Sequence, residues 1–537
     1  MATVVRSVAR RSTRRPILTV ALVAGVGALV SAVWIWRTRQ LGAFDPDEAG
    51  YLATALRLQR SIGWNPDVLR ELASTEQGPL VPLLSVPLLV LGPRDPRTAM
   101  LIQPMFVVLS AVAVTGVTRR LAGPGAAVLA GCVTASLPMV VLASEAYWFG
   151  LAAGAFTATA LWALLASDRF DSRWRFAFGA ALGAMLLSRT MALGLVPAMV
   201  VAAAIQTGGD RRRLWRLLQA LAVTAAVAAP WYFVQRDAVF SYLFDYGYGD
   251  RAGLWGSGGP LARLWFRIDR LSTGSGLPGP AIAAFIVVVA VAVALSARSL
   301  SLSRPWGTST RDWVSCVCVV ILGLAALVTT TNQGVWFELP VLLVLVAVVA
   351  AGLDRVGGSS RAVIAGVTVL VIVGIPIAMR LQGTTQARPA LVEHDQRFDD
   401  ATTADDAATD WRRLTEEVLR AVPDAGSDRA VSLSGNTFLF NSNTLELAAE
   451  LAGRDIEIRV PDTLADSDSR AAELTPSVGG VPRDLLVALH DRALFTPDLD
   501  VQSFYDQALA TGWRPVERWP MPGGGDVVLL RHGPGSP

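Results

Sequence analysis

The sequence contains no lysine, because all 47 of its lysine-plus-arginine residues are arginines. This absence excludes Schiff-base catalysis through lysine and the phosphate-binding lysine of a P-loop. Histidine is almost as rare, and His394, His490 and His532 all follow the last long apolar run. The apolar part of the chain therefore has no imidazole for acid–base catalysis or for a histidine-containing zinc site, and carboxylates must carry any proton transfer there.

Cysteine and charge are also scarce. The three cysteines, Cys132, Cys316 and Cys318, lie within apolar runs, where thiols behave as small hydrophobes, so neither a disulfide framework nor a metal cluster is indicated. Only 17% of the 537 residues are charged, whereas 52% are hydrophobic. With a mean hydropathy of +0.44, the composition excludes an ordinary soluble protein and predicts an integral membrane protein.

Long apolar runs recur along the first two thirds of the chain. About 20 apolar residues suffice to cross ~30 Å of hydrocarbon as a helix, and the sequence predicts about 11 such crossings. A further run at 79–92 is too short to span and predicts an interfacial or re-entrant piece. The predicted crossings lie at 17–36, 98–118, 122–143, 147–167, 174–187, 191–206, 214–234, 281–298, 313–331, 335–352 and 361–380.

The placement of arginine predicts the orientation. Five arginines precede the first run, and each loop that alternates to the same side carries at least two more, whereas the short turns near Glu145 and Asn332 carry none. This positive-inside pattern predicts a multi-pass plasma membrane protein with a cytoplasmic N-terminus. The first run ends at Trp34 and Trp36 without a small-residue cleavage site, which favours an anchor over a signal peptide.

The last part of the chain has a different composition. Residues 381–537 hold 26 acids against 14 arginines, whereas residues 1–380 hold 18 against 33. We therefore predict a transmembrane domain over 1–380 and an extracytoplasmic, soluble α/β domain over 381–537. Periodicity in this domain predicts strands at 430–434, 455–460, 484–490 and 526–531, and helices at 405–422, 444–452 and 501–511.

The first predicted outside loop, residues 37–78, contains Phe44-Asp45-Pro46-Asp47-Glu48 followed by a helical pattern. Carboxylates held beside apolar walls at a bilayer surface are suited to general-base catalysis. The spacing alone also fits an Asp-Pro turn in which Asp47 caps the helix. The end of the same loop adds Glu76 immediately before a proline-punctuated apolar run, Gly78-Pro79-Leu80-Val81-Pro82.

This order of an apolar anchor, Asp47-Glu48-x-x-Tyr51, about 25 residues and then Glu76-x-x-Pro-Leu resembles the GT-C glycosyltransferases. The nearest likeness is to the protein O-mannosyltransferase and lipid A aminoarabinose transferase group, and it extends to the span count and the external tail. The resemblance implies a polytopic α-helical membrane fold of the GT-C type with a small external α/β C-terminal domain.

The resemblance also implies an inverting glycosyltransferase. Asp47 matches the catalytic aspartate and is the predicted base, Glu48 is its neighbour and second candidate catalytic residue, and Tyr51 and Glu76 match the substrate-binding positions. The acceptor hydroxyl, deprotonated by Asp47, would attack the anomeric carbon while polyprenyl phosphate leaves. The implied partners are a polyprenyl-phosphate sugar donor, membrane lipids, and a protein, lipid or glycan acceptor, with no nucleic acid.

Two further residues complete the predicted substrate site. Arg189 occupies the place where the family often has Thr-Lys-Gly, and its guanidinium is suited to bind the lipid phosphate bidentately, although an arginine in a short turn also fits a snorkelling role. Glu145 lies near the position where the family commonly has a second aspartate. In this chain that aspartate is missing or replaced by Glu145. No cofactor is predicted, and no residue is assigned to a metal, although the resemblance leaves a divalent ion open.

Two outside segments, 235–278 and the turn at Asn332-Gln333, have compositions that suit sugar contact but equally suit ordinary loops. The chief alternative function is a transporter or flippase that moves a lipid or sugar without bond chemistry. Such proteins place ionisable residues near the middle of the membrane, whereas here the acids cluster near the ends of the runs. A catalytically inactive scaffold is a third alternative that the altered motifs allow.

Overall fold

The computed structural model describes residues 2–356 and 405–532 with internal gaps, the longest of which are 62–71, 276–307, 461–471 and 490–499. The chain forms two compact units that alternate along the sequence. We call the first the apolar unit; it comprises Met1–Ile35, Trp64–Ser85 and Met100–Leu391. The second, which we call the sheet unit, comprises Trp36–Gly63, Val86–Ala99 and Val392–Pro537.

The described part of residues 2–356 is helical. Apart from one 3-10 helix at Thr190–Leu195, the helices are α1 (Ala2–Thr38), α2 (Pro46–Arg60), α3 (Leu80–Leu91), α4 (Pro96–Met100), α5 (Ile102–Leu121), α6 (Pro124–Ser136), α7 (Pro138–Ala143), α8 (Gly150–Ala166), α9 (Trp174–Ser188), α10 (Val196–Thr207), α11 (Arg211–Val234), α12 (Arg236–Asp245), α13 (Pro260–Ser275), α14 (Thr308–Thr329) and α15 (Leu339–Val356).

Nine of the eleven predicted crossings fall on these helices, and the runs 281–298 and 361–380 lie outside the described residues. Within the described chain, five helical segments are both long and apolar enough to cross a membrane: Pro16–Arg37, Pro96–Leu121, Thr190–Thr207, Arg211–Val234 and Thr310–Thr329. The polytopic helical fold predicted from the sequence is confirmed. The short run at 79–92 forms α3, whose 12 residues reach only ~18 Å at 1.5 Å per residue.

The predicted crossing 122–143 differs from the prediction because it is broken into α6 and α7. The break falls at Leu137, whose backbone is extended at ψ 132°, immediately before Pro138. Proline cannot donate an intrahelical hydrogen bond, and it disfavours helical backbone in the residue that precedes it. The sequence run is therefore continuous in hydropathy but discontinuous as a helix.

Small residues allow neighbouring helices of the apolar unit to approach closely. On α9, a Cβ at Gly179 would overlap the Ala220 carbonyl of α11, and a Cβ at Gly183 would lie 2.7 Å from Val227 Cβ. Gly179 and Gly183 are one turn apart, so together they form a small-x-x-x-small contact surface. The α9–α11 pair holds the end of α9 in place, and Arg189 follows that end directly.

The C-terminal part of the sheet unit is a mixed sheet flanked by helices. Its helices are α16 (Asp405–Ala421), α17 (Ser442–Ala452) and α18 (Val501–Ala510). The strands run in the order β2-β1-β4-β6-β5, with β1 parallel to β2 and β4, and with β3 paired to β4. The strands are β1 (Ala430–Ser434), β2 (Ile458–Arg459), β3 (Ser477–Val478), β4 (Val481–Leu489), β5 (Trp513–Pro520) and β6 (Asp526–His532).

Both faces of the central strands are buried, which explains why β4 and β6 contain continuous apolar runs, at 485–489 and 527–530, rather than alternating ones. On one face Leu486 and Leu529 pack with Trp411 of α16 and Leu445 of α17. On the other face their strand neighbours pack with Phe504 of α18. The three predicted helices are observed, the strand predicted at 430–434 is observed with the same ends, and the other three predicted strands are observed with adjusted ends; β3 and β5 were not predicted.

Candidate active site

The predicted carboxylate motif lies in the first turn of α2. Pro46 begins the helix, where a proline costs no hydrogen bond, and Asp47 and Glu48 follow in the turn where negative charge complements the helix dipole. Asp47 is thus the second residue of the helix rather than its N-cap. The motif residues therefore sit on a rigid element whose periodicity decides where each side chain points.

Glu48 points to the buried side of α2. Its Oε2 accepts a hydrogen bond of 2.5 Å from Nη2 of Arg39, and both side chains are only 3% exposed. The Arg39 guanidinium also lies 4.9 Å from the Phe44 ring centroid. Leu52, one turn after Glu48, is fully buried on the same face. Glu48 is therefore a carboxylate whose charge is neutralised within the protein.

Asp47 and Tyr51 lie on a different face of α2. They are separated by one helical turn, so their side chains are neighbours on the helix surface, and both are half-buried. Adjacent carboxylates in the sequence thus have different environments. Only Asp47, of the two, combines partial exposure with a position next to the motif tyrosine.

The same helix packs on α17 of the sheet. Nη1 of Arg57 lies 3.1 Å from Oε2 of Glu446, and Glu450 accepts from Arg60 and Arg94 at 3.0 and 3.1 Å. Burial raises the pKa of the Glu450 carboxyl, and the positive charges of the surrounding arginines offset part of that rise. Because burial removes hydration from the Glu450 carboxylate, its ion pairs fix the geometry of the contact more than they increase the stability of the fold.

The remaining predicted residues lie in the apolar unit. Arg189 follows α9 in extended backbone, with φ −158° and ψ 128°, and its buried guanidinium lies 3.9 Å from the Phe337 ring centroid. A Cβ at Gly78 would overlap the Leu187 carbonyl and lie 3.0 Å from Arg189 N, and a Cβ at Gly150 would lie 3.2 Å from Arg189 Nη1. The two glycines bring the chain up to Arg189, and its guanidinium is packed in the protein rather than snorkelling.

A buried ion pair supports the turn that carries Phe337. Arg267 of α13 pairs with Glu338 and donates a 2.6 Å hydrogen bond to the Asn332 carbonyl, with 0% and 1% of the paired side chains exposed. Trp336, within this turn, has φ +67°, a left-handed conformation that bulky residues rarely adopt. The Arg267 pair thus fixes a strained turn, and that turn presents Phe337 to Arg189.

Glu145 and the turn at Asn332 are also buried in the apolar unit. Near Glu145, the hydroxyls of Tyr147 and Ser85 are 2.7 Å apart. The side-chain oxygen of Asn332 accepts a hydrogen bond from the backbone N–H of Gly334, which is typical of a structural turn. Glu76 lies outside the described residues.

The structure brings Gly78, Gly150 and Arg189 together in the apolar unit, and Asp47, Glu48 and Tyr51 together on α2. Arg39, Arg267 and Glu338 were not predicted from the sequence. The signal available for the last two was an arginine in the predicted outside segment 235–278 and an acid near the start of the predicted crossing 335–352. Among the described residues, no group of three histidine, cysteine or carboxylate side chains could hold a metal ion.

No protein-family model matches the chain, and no curated protein matches it either. Solved structures do. ArnT from Cupriavidus metallidurans in the apo state aligns over 96% of this chain and 97% of its own, with a TM-score of 0.56 and 16% identity. The same protein bound to undecaprenyl phosphate aligns over the same shares with a TM-score of 0.56 and 15% identity.

A more distant likeness is to the archaeal oligosaccharyltransferase AglB from Archaeoglobus fulgidus, solved with an inhibitory peptide and a dolichol-phosphate. It aligns over 88% of this chain and 69% of its own, with a TM-score of 0.52 and 13% identity. ArnT, a lipid A aminoarabinose transferase, and AglB are both GT-C glycosyltransferases. The chain therefore has the GT-C fold, and the fold predicted from the first-loop motif is confirmed.

Proposed function

We propose that this chain is a membrane glycosyltransferase that transfers a sugar from a polyprenyl-phosphate donor to an acceptor hydroxyl on the extracytoplasmic face, with inversion. The observation that carries the proposal is the difference between two adjacent carboxylates on α2. Glu48 is buried and neutralised by Arg39, whereas Asp47 is half-buried on another face of the helix. The fold supports it, since ArnT and AglB were solved with undecaprenyl phosphate and a dolichol-phosphate.

Asp47 is the base in this proposal. Its carboxylate accepts the proton of the acceptor hydroxyl, the oxygen bonds to the anomeric carbon, and the bond from that carbon to the phosphate oxygen breaks. Polyprenyl phosphate leaves with the bonding electrons. Glu48 does not transfer the proton, because its charge is committed to Arg39 in a buried pair; it fixes the helix turn that carries Asp47. Tyr51 borders the acceptor, one turn along.

Arg189 binds the phosphate of the donor. A guanidinium held in an apolar wall matches a phosphate bidentately and loses little entropy when its fork is already ordered. The neighbouring Thr190 hydroxyl is fully buried and has no hydrogen-bond partner among the described residues, so it is available as a second donor to the departing oxygen. Glu145 and Glu76 remain proposed substrate-binding residues.

The proposed orientation rests on the arginine distribution, which favours a cytoplasmic N-terminus and places α2 and the C-terminal domain outside. On that side the acceptor is a protein, lipid or glycan of the cell envelope. A mapping experiment with single-cysteine reporters in loop 37–78 tests the orientation directly. Labelling from the cytoplasmic side would overturn both the face and the donor geometry that we propose.

Activity is tested in membranes that contain the full-length chain. We expect label to move from undecaprenyl phosphate carrying radiolabelled mannose, glucose or arabinose into a protein, lipid or glycan fraction. Asp47→Asn should lower this transfer by about 100-fold or more, because general-base catalysis contributes roughly 10²–10⁴-fold. Asp506→Asn is the matched control, since Asp506 is an exposed acid on α18.

Loss of transfer in Asp47→Asn, with the control unchanged and both variants equally stable to heat, supports the proposed base. Full transfer by Asp47→Asn would exclude Asp47 from catalysis. Failure of the unaltered protein to transfer label from any of the three donors would count against the glycosyltransferase itself.

A further inference from the structure

The C-terminal domain touches the backbone of the proposed base. Asn443, in the first turn of α17, donates a 2.7 Å hydrogen bond from Nδ2 to the carbonyl oxygen of Pro46. That carbonyl belongs to the peptide group joining Pro46 to Asp47. Asn443 therefore holds the peptide plane from which the Asp47 side chain projects.

Gly50 makes this approach possible. A Cβ at Gly50 would lie 3.1 Å from Nδ2 and 3.2 Å from Cγ of Asn443, so a side chain at this position would crowd the amide. Asn443 is itself rigidly presented. Asn441 caps α17 by accepting from the Thr444 backbone, while the Thr444 hydroxyl accepts from the Asn441 backbone, a reciprocal pair that fixes the first turn.

Ion pairs hold the other end of α2 to the same helix. Arg57 reaches Glu446, which is one turn beyond Asn443, and Arg60 reaches Glu450 another turn on. The contacts are thus spaced along both helices. They lie at Pro46, Arg57 and Arg60 on α2 and at Asn443, Glu446 and Glu450 on α17. Contacts at both ends of a helix restrict its rotation and its sliding together, which a single contact cannot do.

We propose that α17 of the C-terminal domain is a positioning element of the active site, in which Asn443 orients the Asp47 peptide and the Arg57–Glu446 pair sets the rotation of α2. This inference rests on the proposed function, because it assigns Asn443 a role that acts through Asp47. Misplacing a reacting group by about 1 Å can cost roughly 100-fold in rate. The domain therefore contributes to turnover by positioning Asp47.

The first test replaces the amide in the full-length protein. Asn443→Asp keeps the shape but removes the donor, and Asn443→Ala removes the whole amide. We expect kcat to fall about 10-fold or more with KM changed less than about 2-fold, since orientation rather than binding is lost. In an Asp47→Asn background, Asn443→Ala should produce no further fall, because nothing is left to orient.

The second test reverses a pair that is partly exposed. Arg57→Glu and Glu446→Arg should each lower kcat, and the double variant should recover most of it, because the swapped pair restores the contact. The matched control is the exposed Arg412–Glu416 pair of α16, 2.8 Å apart. Reversing either of its members should leave kcat unchanged.

The outcomes separate this inference from the proposed function. If Asp47→Asn abolishes transfer while the Asn443 variants and the reversed pair keep normal kcat, the positioning role is wrong and the base stands. If Asn443→Ala lowers activity equally in the presence and absence of the Asp47 carboxylate, or only by unfolding the protein in a heat-denaturation assay, the role is structural. Full activity of Asp47→Asn removes the basis of both.

Discussion

Two arginine–glutamate contacts support the candidate site residues, and they differ in burial. Arg267 and Glu338, which support the turn that carries Phe337 in the apolar unit, are 0% and 1% exposed. Arg57 and Glu446, between α2 and α17 in the sheet unit, are 26% and 28% exposed. In the first contact the two charges are removed from water and each is the other's charged partner, whereas water can replace the partner in the second.

Because of this difference, substitutions in the two contacts should change different properties. In the apolar unit they should lower stability, and in the sheet unit they should lower turnover. Removing one member of the buried contact leaves a stranded charge, so the fold itself must respond. Removing one member of the half-exposed contact leaves a charge that water can solvate, so the fold survives and any loss of turnover reports on position.

Glu338→Ala should cost about 3–5 kcal/mol of stability, the usual penalty for an uncompensated buried charge. The paired replacement of Arg267 by Met and Glu338 by Leu should recover most of that loss, because two apolar side chains leave no charge behind. Thermal unfolding of the purified protein in detergent measures both. Equal stability of Glu338→Ala and the unaltered protein would show that the pair is not buried as described.

Gly78→Ala should cost about 1–3 kcal/mol, because the added methyl would overlap the Leu187 carbonyl, and overpacking against backbone forces a shift. The shift should also displace Arg189 and raise the KM for the donor. Gly125→Ala is the control: nothing lies within 4 Å of its Cβ position on α6, and alanine in a helix is about 0.5–1 kcal/mol more stable than glycine. Opposite signs of the two changes in melting temperature are expected.

Glu446→Ala should change stability by less than about 1 kcal/mol, as is usual for a partly exposed ion pair. The same substitution should lower kcat if α17 positions α2. A large stability loss would place this contact with the buried pair and erase the contrast between the two units.

Asp95 supplies the smallest effect and a pH dependence. Burial by itself would raise the pKa of this carboxyl, but hydrogen bonds from the Arg97 side chain and backbone outweigh it, and the pKa is lowered. The ionised form is therefore stabilised by folding. Its contribution is present above the pKa of the unfolded chain, about 3.9, and is lost as the pH falls through the folded value.

Asp95→Asn should thus destabilise the protein at pH 7 by less than about 1 kcal/mol, given that the pair is partly exposed. The gap between the variant and the unaltered protein should close at low pH. Melting temperatures measured from pH 7 down to pH 3 test this, and a gap that does not narrow below about pH 3.9 would show that packing rather than charge is responsible.

Most of the helical architecture could be predicted from the sequence, because a helix that crosses a membrane needs a long apolar run. The prediction failed at β5, where Pro515 and Pro520 and a run of exposed polar residues hide the strand. The reason is the position of β5 at the edge of the sheet, where proline costs no ladder hydrogen bond and one side faces solvent. Local periodicity therefore reports central strands better than edge strands.

The candidate site was predictable where chemistry follows a local motif. Asp47, Glu48 and Tyr51 lie on one short helix, so their spacing alone places them. Arg39 and Asn443 had no such signal, because a lone arginine or asparagine gains its meaning only from a partner that the fold supplies. Local pattern can identify a reacting group more readily than the residues that hold it.

The hydrogen bond between Asn443 and Pro46 joins residues 397 positions apart. At a synthesis rate of roughly 5–20 residues per second, α2 leaves the ribosome some 20–80 seconds before the helix that receives it. During that interval a nascent chain already carries its acidic motif but has nothing to dock it against. If α17 positions α2 as proposed, the chain should gain transferase activity only after its C-terminal domain has been made.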